Sequence, residues 1–397
     1  MIHYAWVIAF TGTLVTVLAH GFGRMSYSVI LPSMKDGLSL TYTQLGSIAT
    51  GNFIGYLSLA IIGGFLAARF GIRRVVFVSL LIIGISLFLT GLSNSFIFAF
   101  FMRLISGLGN GGSYVPIMAL PAAWFAMKKR GLATGIVSAG IGFGLFLSGI
   151  ILPPVISAFG KEGWRYAWFL LGTIVFICAF ICYGFLRDNP KEKGTTMYGG
   201  EEEKKIGAKI TLFSAFRDVV VEPEIWKLGC VYFMYGFSYI IYLTFFVAYL
   251  TKEMGMRPQE AGGIFSILGI FSIFCGVIYG WISDKLGRKY GSVLAYLNLA
   301  ISYAIFALWK DPIGFYVSAV AFGIAAFSIP TIMAAASGDA VGGRLAPAGL
   351  GFITLFFGIG QALGPVIGGW LKDTTGTFTY AFLLSAAVSL LGAGGAL

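Results

Sequence analysis

Apolar residues in this chain fall into long blocks with polar residues gathered at the joints, and the blocks repeat from one end to the other. A membrane-spanning helix needs about 20 mostly apolar residues. Twelve blocks meet that length, at 5–31, 43–67, 74–92, 96–126, 131–157, 165–187, 225–251, 259–283, 290–309, 313–337, 346–371 and 377–397. The pattern predicts an all-α polytopic membrane protein with six helices in residues 1–187, a cytoplasmic linker over 188–224, and six helices in 225–397. Glu201, Glu202 and Glu203 followed by Lys204 and Lys205 mark the linker as polar, and 210–220 reads as a short interfacial helix within it.

Composition sharpens this picture. The chain is 58% hydrophobic and 11% charged, with a mean hydropathy of +0.88, which places it among integral membrane proteins. The first block is too long for a cleaved signal peptide and carries Arg24 and Tyr27, so it reads as a retained helix. Loops after even-numbered segments hold 18 Lys and Arg, whereas the opposite loops hold 7. Both termini are therefore expected in the cytoplasm of a plasma or inner membrane. The net charge of +11 is topology information and gives no reason to invoke nucleic acid. Cys178, Cys182, Cys230 and Cys275 lie within spans at no metal-ligand spacing and read as apolar filler. No metal or other cofactor is expected.

The chemistry has to lie among the few polar groups at membrane depth. Arg24 is a guanidinium in the middle of the first segment, and an ionisable group there is a functional-site candidate by default. His20, Arg24 and Tyr27 are spaced i, i+4 and i+7 and share one face of a regular helix. An arginine so placed suits a carboxylate through a two-pronged pair, and Gly21 and Gly23 leave room for a kink or for close approach of substrate. The alternative is that Arg24 snorkels or locks helices through carbonyls. All 16 acidic residues map to loops or helix ends, so His20 is the one candidate for carrying a coupled proton, against an ordinary packing role. The seventh segment presents Tyr232, Tyr235, Tyr239 and Tyr242 as one helical stripe, either a substrate-binding surface or a packing seam, with Tyr235 and Tyr239 at mid-depth. Asn52, Asn110, Tyr114, Thr331 and Gln361 are further candidate substrate contacts, each equally able to bridge neighbouring helices.

The two halves are related. Gly64 to Arg74 reappears 216 residues later as Gly280 to Tyr290, and Gly135, Gly142 and Gly144 recur at that offset as Gly351, Gly358 and Gly360. Such a repeat places a transport site at the repeat interface. Gly280, Asp284, Gly287, Arg288 and Lys289 fit the pattern G-x-x-x-D-x-x-G-R-K, Arg103 and Gly107 fit R-x-x-x-G in the fourth segment, and Gly360 to Gly369, with Gly364 and Pro365, fits G-x-x-x-G-P-x-x-G-G in the eleventh. On these motifs the chain resembles the major facilitator superfamily over essentially its whole length. The run Lys128 to Gly140 is similar to the monocarboxylate and oxalate:formate branch.

The resemblance implies two pseudo-symmetric six-helix bundles and alternating access, with helices 1, 4, 7 and 10 lining the cavity, so that the tyrosine stripe faces Arg24. It implies gating roles for Arg69, Gly71, Arg73, Gly280, Asp284, Gly287 and Arg288, with Asp284 meeting the start of helix 5 near Gly131. It also implies a coupling or gating role for Arg103, against the plainer reading that Arg103 snorkels near the interface. The first copy of the loop motif has Ala68 where the family has aspartate.

No nucleotide-binding loop and no catalytic constellation occur in the sequence, so no enzymatic activity is expected. The expectation is a secondary transporter, working as a monomer in the lipid bilayer, for a small organic anion such as a monocarboxylate, by proton symport or anion exchange. The alternatives are efflux of amphipathic compounds and, from another class, a non-transporting membrane sensor on the same fold.

Overall fold

The computed structural model describes residues 3–200, 219–342 and 345–397. Among them are twelve helical rods. These are α1 (Tyr4–Leu38), α2 (Tyr42–Phe70), α3 (Ile72–Gly91), α4 (Phe96–Ala119), α5 (Met127–Ala158) and α6 (Gly163–Phe185). After the linker come α7 (Pro223–Lys252), α8 (Pro258–Ser272, continued by Cys275–Leu286), α9 (Arg288–Leu308), α10 (Pro312–Ala325, continued by Ser328–Val341), α11 (Ala346–Thr375) and α12 (Thr379–Gly395). Length and apolarity alone single out eight helices able to cross a membrane, or ten when the bent α2 and α8 each count as one. The glycine-rich α4 and the 17-residue α12 complete the set through packing, α4 against α3 and α12 against α9 and α7.

The twelve rods follow the twelve predicted segments, with seven-residue differences at the ends of the first and of the fourth, which is expected to reach 126 and stops at Ala119. The first continues through Pro32 to Leu38. The interfacial helix expected over 210–220 lies, except for its last two residues, outside the described residues.

Helix starts and stops have local causes. Ser95 Oγ accepts the Phe98 N–H at the start of α4, and Asp311 accepts the N–H groups of Ile313 and Gly314 at the start of α10, where Pro312 needs no partner for its nitrogen. The chain turns from α2 to α3 at Gly71 and from α8 to α9 at Gly287, both at φ +87°, a conformation that side-chain-bearing residues adopt only under strain. The loop motif thus repeats in backbone geometry as well as in sequence.

The chain divides into two compact units. The first comprises Met1–Leu40 and Gly51–Ile206, and the second Thr41–Thr50 and Gly207–Leu397. Within the first, α1 packs on α5 and α3 on α4 and α6; within the second, α7 packs on α11 and α9 on α10 and α12. These are equivalent pairs under the 216-residue offset. At the α1–α5 crossing a Cβ on Gly21 would sit 2.4 Å from the Gly144 Cα, so only glycine fits. The corresponding α11 residue, Gly360, lies against the Phe233 carbonyl and Phe237 nitrogen of α7. The second unit also takes in the first turns of α2: Asp373 of α11 accepts the N–H groups of Tyr42 and Thr43 at 3.0 and 2.7 Å and the Thr43 hydroxyl at 2.7 Å.

Candidate functional site

In the first unit the polar residues converge on an irregular stretch of α1. Val17–Met25 winds in π-helical turns, in which the Ser26 N–H bonds the carbonyl five residues back, Gly21, at 2.9 Å. Such wide turns inside helices frequently occur at functional sites. His20 and Arg24 are buried there, 4% and 6% exposed. The Arg24 guanidinium lies over the rings of Phe53 and Tyr56 of α2, 4.1 and 4.9 Å from their centroids. Its Nη1 donates to His20 Nε2 at 3.4 Å. Arginine has donors and no acceptor, so this bond requires the histidine proton to be on Nδ1. The His20 ring rests against Tyr114, centroids 4.1 Å apart, and meets the edge of Tyr56.

Tyr27 departs from the expected face. It stacks on Trp168 of α6 and lies beneath the Arg103 guanidinium, away from the rings that hold Arg24. The physical reason is the π-helical stretch: wide turns advance fewer degrees per residue than α-helical ones, so the i, i+7 relation of a regular helix is lost across it. The two glycines also sit at close helix contacts. Gly21 serves the contact with α5, and a side chain on Gly23 would meet Asn110 Oδ1 at 2.8 Å.

Arg103 is not an interfacial snorkelling residue. It is 1% exposed, and its Nη1 donates to the Gly23 carbonyl at 2.7 Å and its Nη2 to the Arg24 carbonyl at 3.5 Å. The guanidinium is flanked by the rings of Tyr27 and Trp168 at 5.3 and 5.0 Å. Ser106 Oγ points to the same Gly23 carbonyl at 3.4 Å. Asn52 Nδ2 donates to the Arg103 carbonyl at 3.1 Å, and the Asn110 amide donates to Asn52 Oδ1 at 3.4 Å. The two asparagines therefore join α2 to α4 beneath the Arg24 cluster. Gly107 lets these helices meet, since a Cβ there would stand 2.1 Å from the Asn52 carbonyl.

In the second unit the tyrosines of α7 divide. The rings of Tyr232, Tyr235 and Tyr239 run nearly parallel, Tyr235 and Tyr239 4.6 Å apart at 5°, with Phe357 of α11 against all three. Tyr242 leaves the stripe: its hydroxyl bonds Ser318 at 2.7 Å and its ring packs among Phe306, Phe322 and Phe382, a core seam. Gln361 of α11 donates to the Tyr239 hydroxyl, and Tyr235 donates to the carbonyl of Ala326, where α10 breaks between Ala325 and Ser328. Thr331, one turn past that break, is exposed. A Cβ on Gly364 would stand 2.7 Å from the Phe237 carbonyl, and Pro365 lies inside α11, its carbonyl against Gly46 in the first turns of α2.

The two motif loops hold themselves differently. Asp284 pairs with Arg288 at 2.5 Å, and Arg288 also reaches Ser283 at 3.0 Å and Asp339 of α10 at 3.4 Å. In the copy with Ala68, Asp188 beyond the end of α6 takes the backbone N–H of Arg73 at 2.8 Å. The Arg73 side chain bonds the Tyr183 carbonyl at 2.8 Å and lies on the Tyr183 ring, while Arg69 is exposed over Phe70.

The sequence alone did not single out Phe53, Tyr56, Trp168, Phe357, Asp188 or Asp339. Tyr56 had a readable signal, four residues after Asn52 and so on the same helical face. Trp168 and Phe357 belong to neighbouring helices and are brought in by packing, while Asp188 and Asp339 join the two motif loops.

The sequence matches the Major Facilitator Superfamily profile over residues 13–310 and 228–397. A probable sulfoacetate transporter of Cupriavidus necator is 26% identical over 391 residues, covering 94% of this chain and 88% of that protein. A hexuronate transporter of Bacillus subtilis is 25% identical, with 92% and 88% covered. Monocarboxylate transporter 12-B of Danio rerio is also 25% identical, with 89% and 74% covered. Among solved structures, a bacterial homologue of the human lysosomal transporter Spinster superposes with a TM-score of 0.77 at 18% identity, covering 100% of this chain and 95% of that one. A point mutant of the nucleoside transporter NupG gives 0.78 at 15% identity, covering 98% of each. Motifs, repeat, twelve-helix architecture and profile agree that this chain belongs to the Major Facilitator Superfamily of membrane transporters.

Proposed function

We propose that the protein is a secondary transporter that moves a small organic anion, a monocarboxylate or a sulfonate of similar size, by alternating access in the plasma or inner membrane. The observation that carries this reading is Arg24, a guanidinium 6% exposed in the wide turns of α1 and placed over the rings of Phe53 and Tyr56. Aromatic faces hold the cation in a plane and exclude water. A planar fork of donors in such a setting is suited to a carboxylate or sulfonate held by two parallel hydrogen bonds. The relatives named for sulfoacetate, hexuronate and monocarboxylates support the same class of cargo, as does one named for cis,cis-muconate.

His20 supports proton symport over anion exchange. In the described arrangement it accepts from Arg24, so a proton arriving on Nε2 breaks that bond and sets two cations side by side. An anion bound at Arg24 relieves that repulsion. Anion and proton then favour each other, and by linkage the effect is reciprocal. In the second unit, the Tyr239–Gln361 pair supplies hydroxyl and amide groups for a hydroxylated or carbonyl-bearing cargo.

The test is counterflow in proteoliposomes. Vesicles loaded with unlabelled lactate, sulfoacetate or glucuronate should accumulate the labelled form of one of them transiently, and an inward acid gradient should drive its net uptake. Absence of counterflow for all three, with binding retained, would favour the sensor reading. Counterflow of an amphipathic cation alone would favour the efflux reading.

A further inference from the structure

We propose that Arg103 is a positioning residue for anion recognition: by holding the Gly23 carbonyl it fixes the wide turn of α1 and so aims the Arg24 guanidinium. The inference rests on the reading of Arg24 as the anion site.

Arg103 touches α1 at the peptide group that precedes Arg24, through the 2.7 Å bond to Gly23 O, and reaches the Arg24 carbonyl with its other terminal nitrogen. Rotating that peptide plane turns the Cα–Cβ bond of Arg24, and the long side chain carries the rotation to the guanidinium. The Arg103 fork is itself flanked by the Tyr27 and Trp168 rings, while the Asn52 amide holds the Arg103 backbone carbonyl. Gly23 has no side chain to restrict its backbone. An external latch is therefore what selects one orientation. Lysine gathers its donors on one nitrogen and has no plane to stack, so it cannot reproduce this hold. The second unit has an analogous latch, the Tyr235 hydroxyl on the Ala326 carbonyl at the break of α10. An irregular span held by polar side chains of a neighbouring helix thus occurs in each unit, with Ser106 beside Arg103 on the Gly23 carbonyl in the first.

The experiment measures binding of lactate, sulfoacetate and glucuronate to the purified full-length protein by calorimetry, with thermal stability recorded in parallel. Arg103→Lys should weaken the tightest of the three about tenfold and leave the melting temperature within a few degrees. In an Arg24→Lys background, where the two-pronged geometry is already gone, the same substitution should weaken binding less than about threefold. Unchanged affinity in the single variant overturns the proposal. An equal loss in both backgrounds also overturns it, because it assigns Arg103 a general electrostatic or packing contribution independent of Arg24. Should Arg103→Lys fail to fold, Tyr27→Leu removes one ring from the latch; a several-fold loss confined to the Arg24 background supports the proposal, and equal losses overturn it. Failure of the wild type to bind any of the three, or wild-type affinity in Arg24→Ala, overturns the anion-site reading itself, a result distinct from the failure of the latch.

Discussion

The two units share one six-helix plan but exchange which helix is irregular and which holds it. In the first, α1 carries the wide turns and an arginine of α4 ties them; in the second, α10 carries the break and a tyrosine of α7, the counterpart of α1, ties it. Under the 216-residue offset Asn110 corresponds to Ala326, and Gly23 to Tyr239. Positions related by the repeat therefore bear unlike chemistry. The first unit gathers guanidinium, imidazole and carboxamide groups, and the second gathers stacked phenols. A duplicated fold preserves helix crossings because glycine contacts tolerate no side chain, whereas groups lining a site are free to diverge. The first unit thus carries cationic and amide donors, and the second carries neutral hydroxyls on stacked rings.

The sharpest way to break that comparison is to remove charge from one unit and hydroxyl from the other. Arg24→Ala should weaken anion binding by about 3 kcal/mol, roughly a hundredfold, the scale for losing a buried charge-assisted pair. Tyr239→Phe removes a neutral hydroxyl and should cost about 1 kcal/mol, and more for a hydroxylated anion than for a plain one. Calorimetry on both variants checks the ranking. Equal losses would remove the distinction between a charged and a neutral half.

His20→Gln should have the next largest effect, read as a slope. If one proton is taken up at His20 per anion, wild-type affinity should rise as pH falls, by up to about tenfold per pH unit. The glutamine variant should lose that slope and keep anion-for-anion exchange. A slope preserved in the variant would move the coupled proton to another group.

How much of this was legible in the sequence follows from range. The twelve spans were readable because hydrocarbon imposes length and apolarity on each one separately. Arg24, His20 and the repeat were readable for the same reason: a charge at membrane depth and a matched motif are local signals. The partition of Tyr27 away from Arg24 was not readable, because nothing in the residue pattern states that Val17–Met25 winds in π turns instead of α turns. Tyr242 shows the same limit. Its spacing fits the stripe, but Ser318 and the Phe306, Phe322 and Phe382 seam draw it into the core. Arg103 was visible as a residue but misplaced, since burial of a guanidinium depends on two carbonyls of α1 and a tryptophan of α6 that sequence spacing does not connect.

The second latch predicts a smaller change in stability. Tyr235→Phe keeps the ring stack but leaves the Ala326 carbonyl without this donor, which should destabilise the protein by about 1–2 kcal/mol. Anion affinity should change less than in Arg103→Lys, because this latch holds no charged group. Thermal unfolding and calorimetry on the same preparation separate the two effects. A larger loss of affinity than of stability would place Tyr235 in direct contact with the cargo.

The smallest effect distinguishes the two motif loops. Asp188 accepts the Arg73 N–H in the first turn of α3, whereas Asp284 makes an exposed pair with Arg288, its side chain 67% accessible. Loss of a carboxylate that caps a helix N-terminus typically costs about 1 kcal/mol. An exposed pair four residues apart is worth only about 0.3–0.5 kcal/mol, and salt screens it further. Asp188→Ala should therefore lower stability more than Asp284→Ala does. Raising the salt concentration should erase the Asp284 effect and leave most of the Asp188 effect, since a hydrogen bond to a backbone N–H survives screening. Introducing Ala68→Asp into the Asp188→Ala protein provides the strongest test of the substitution of one carboxylate for the other. Recovery of the lost stability would show that either position can supply the first loop with its anion, and no recovery would show that Asp188 serves α3 alone.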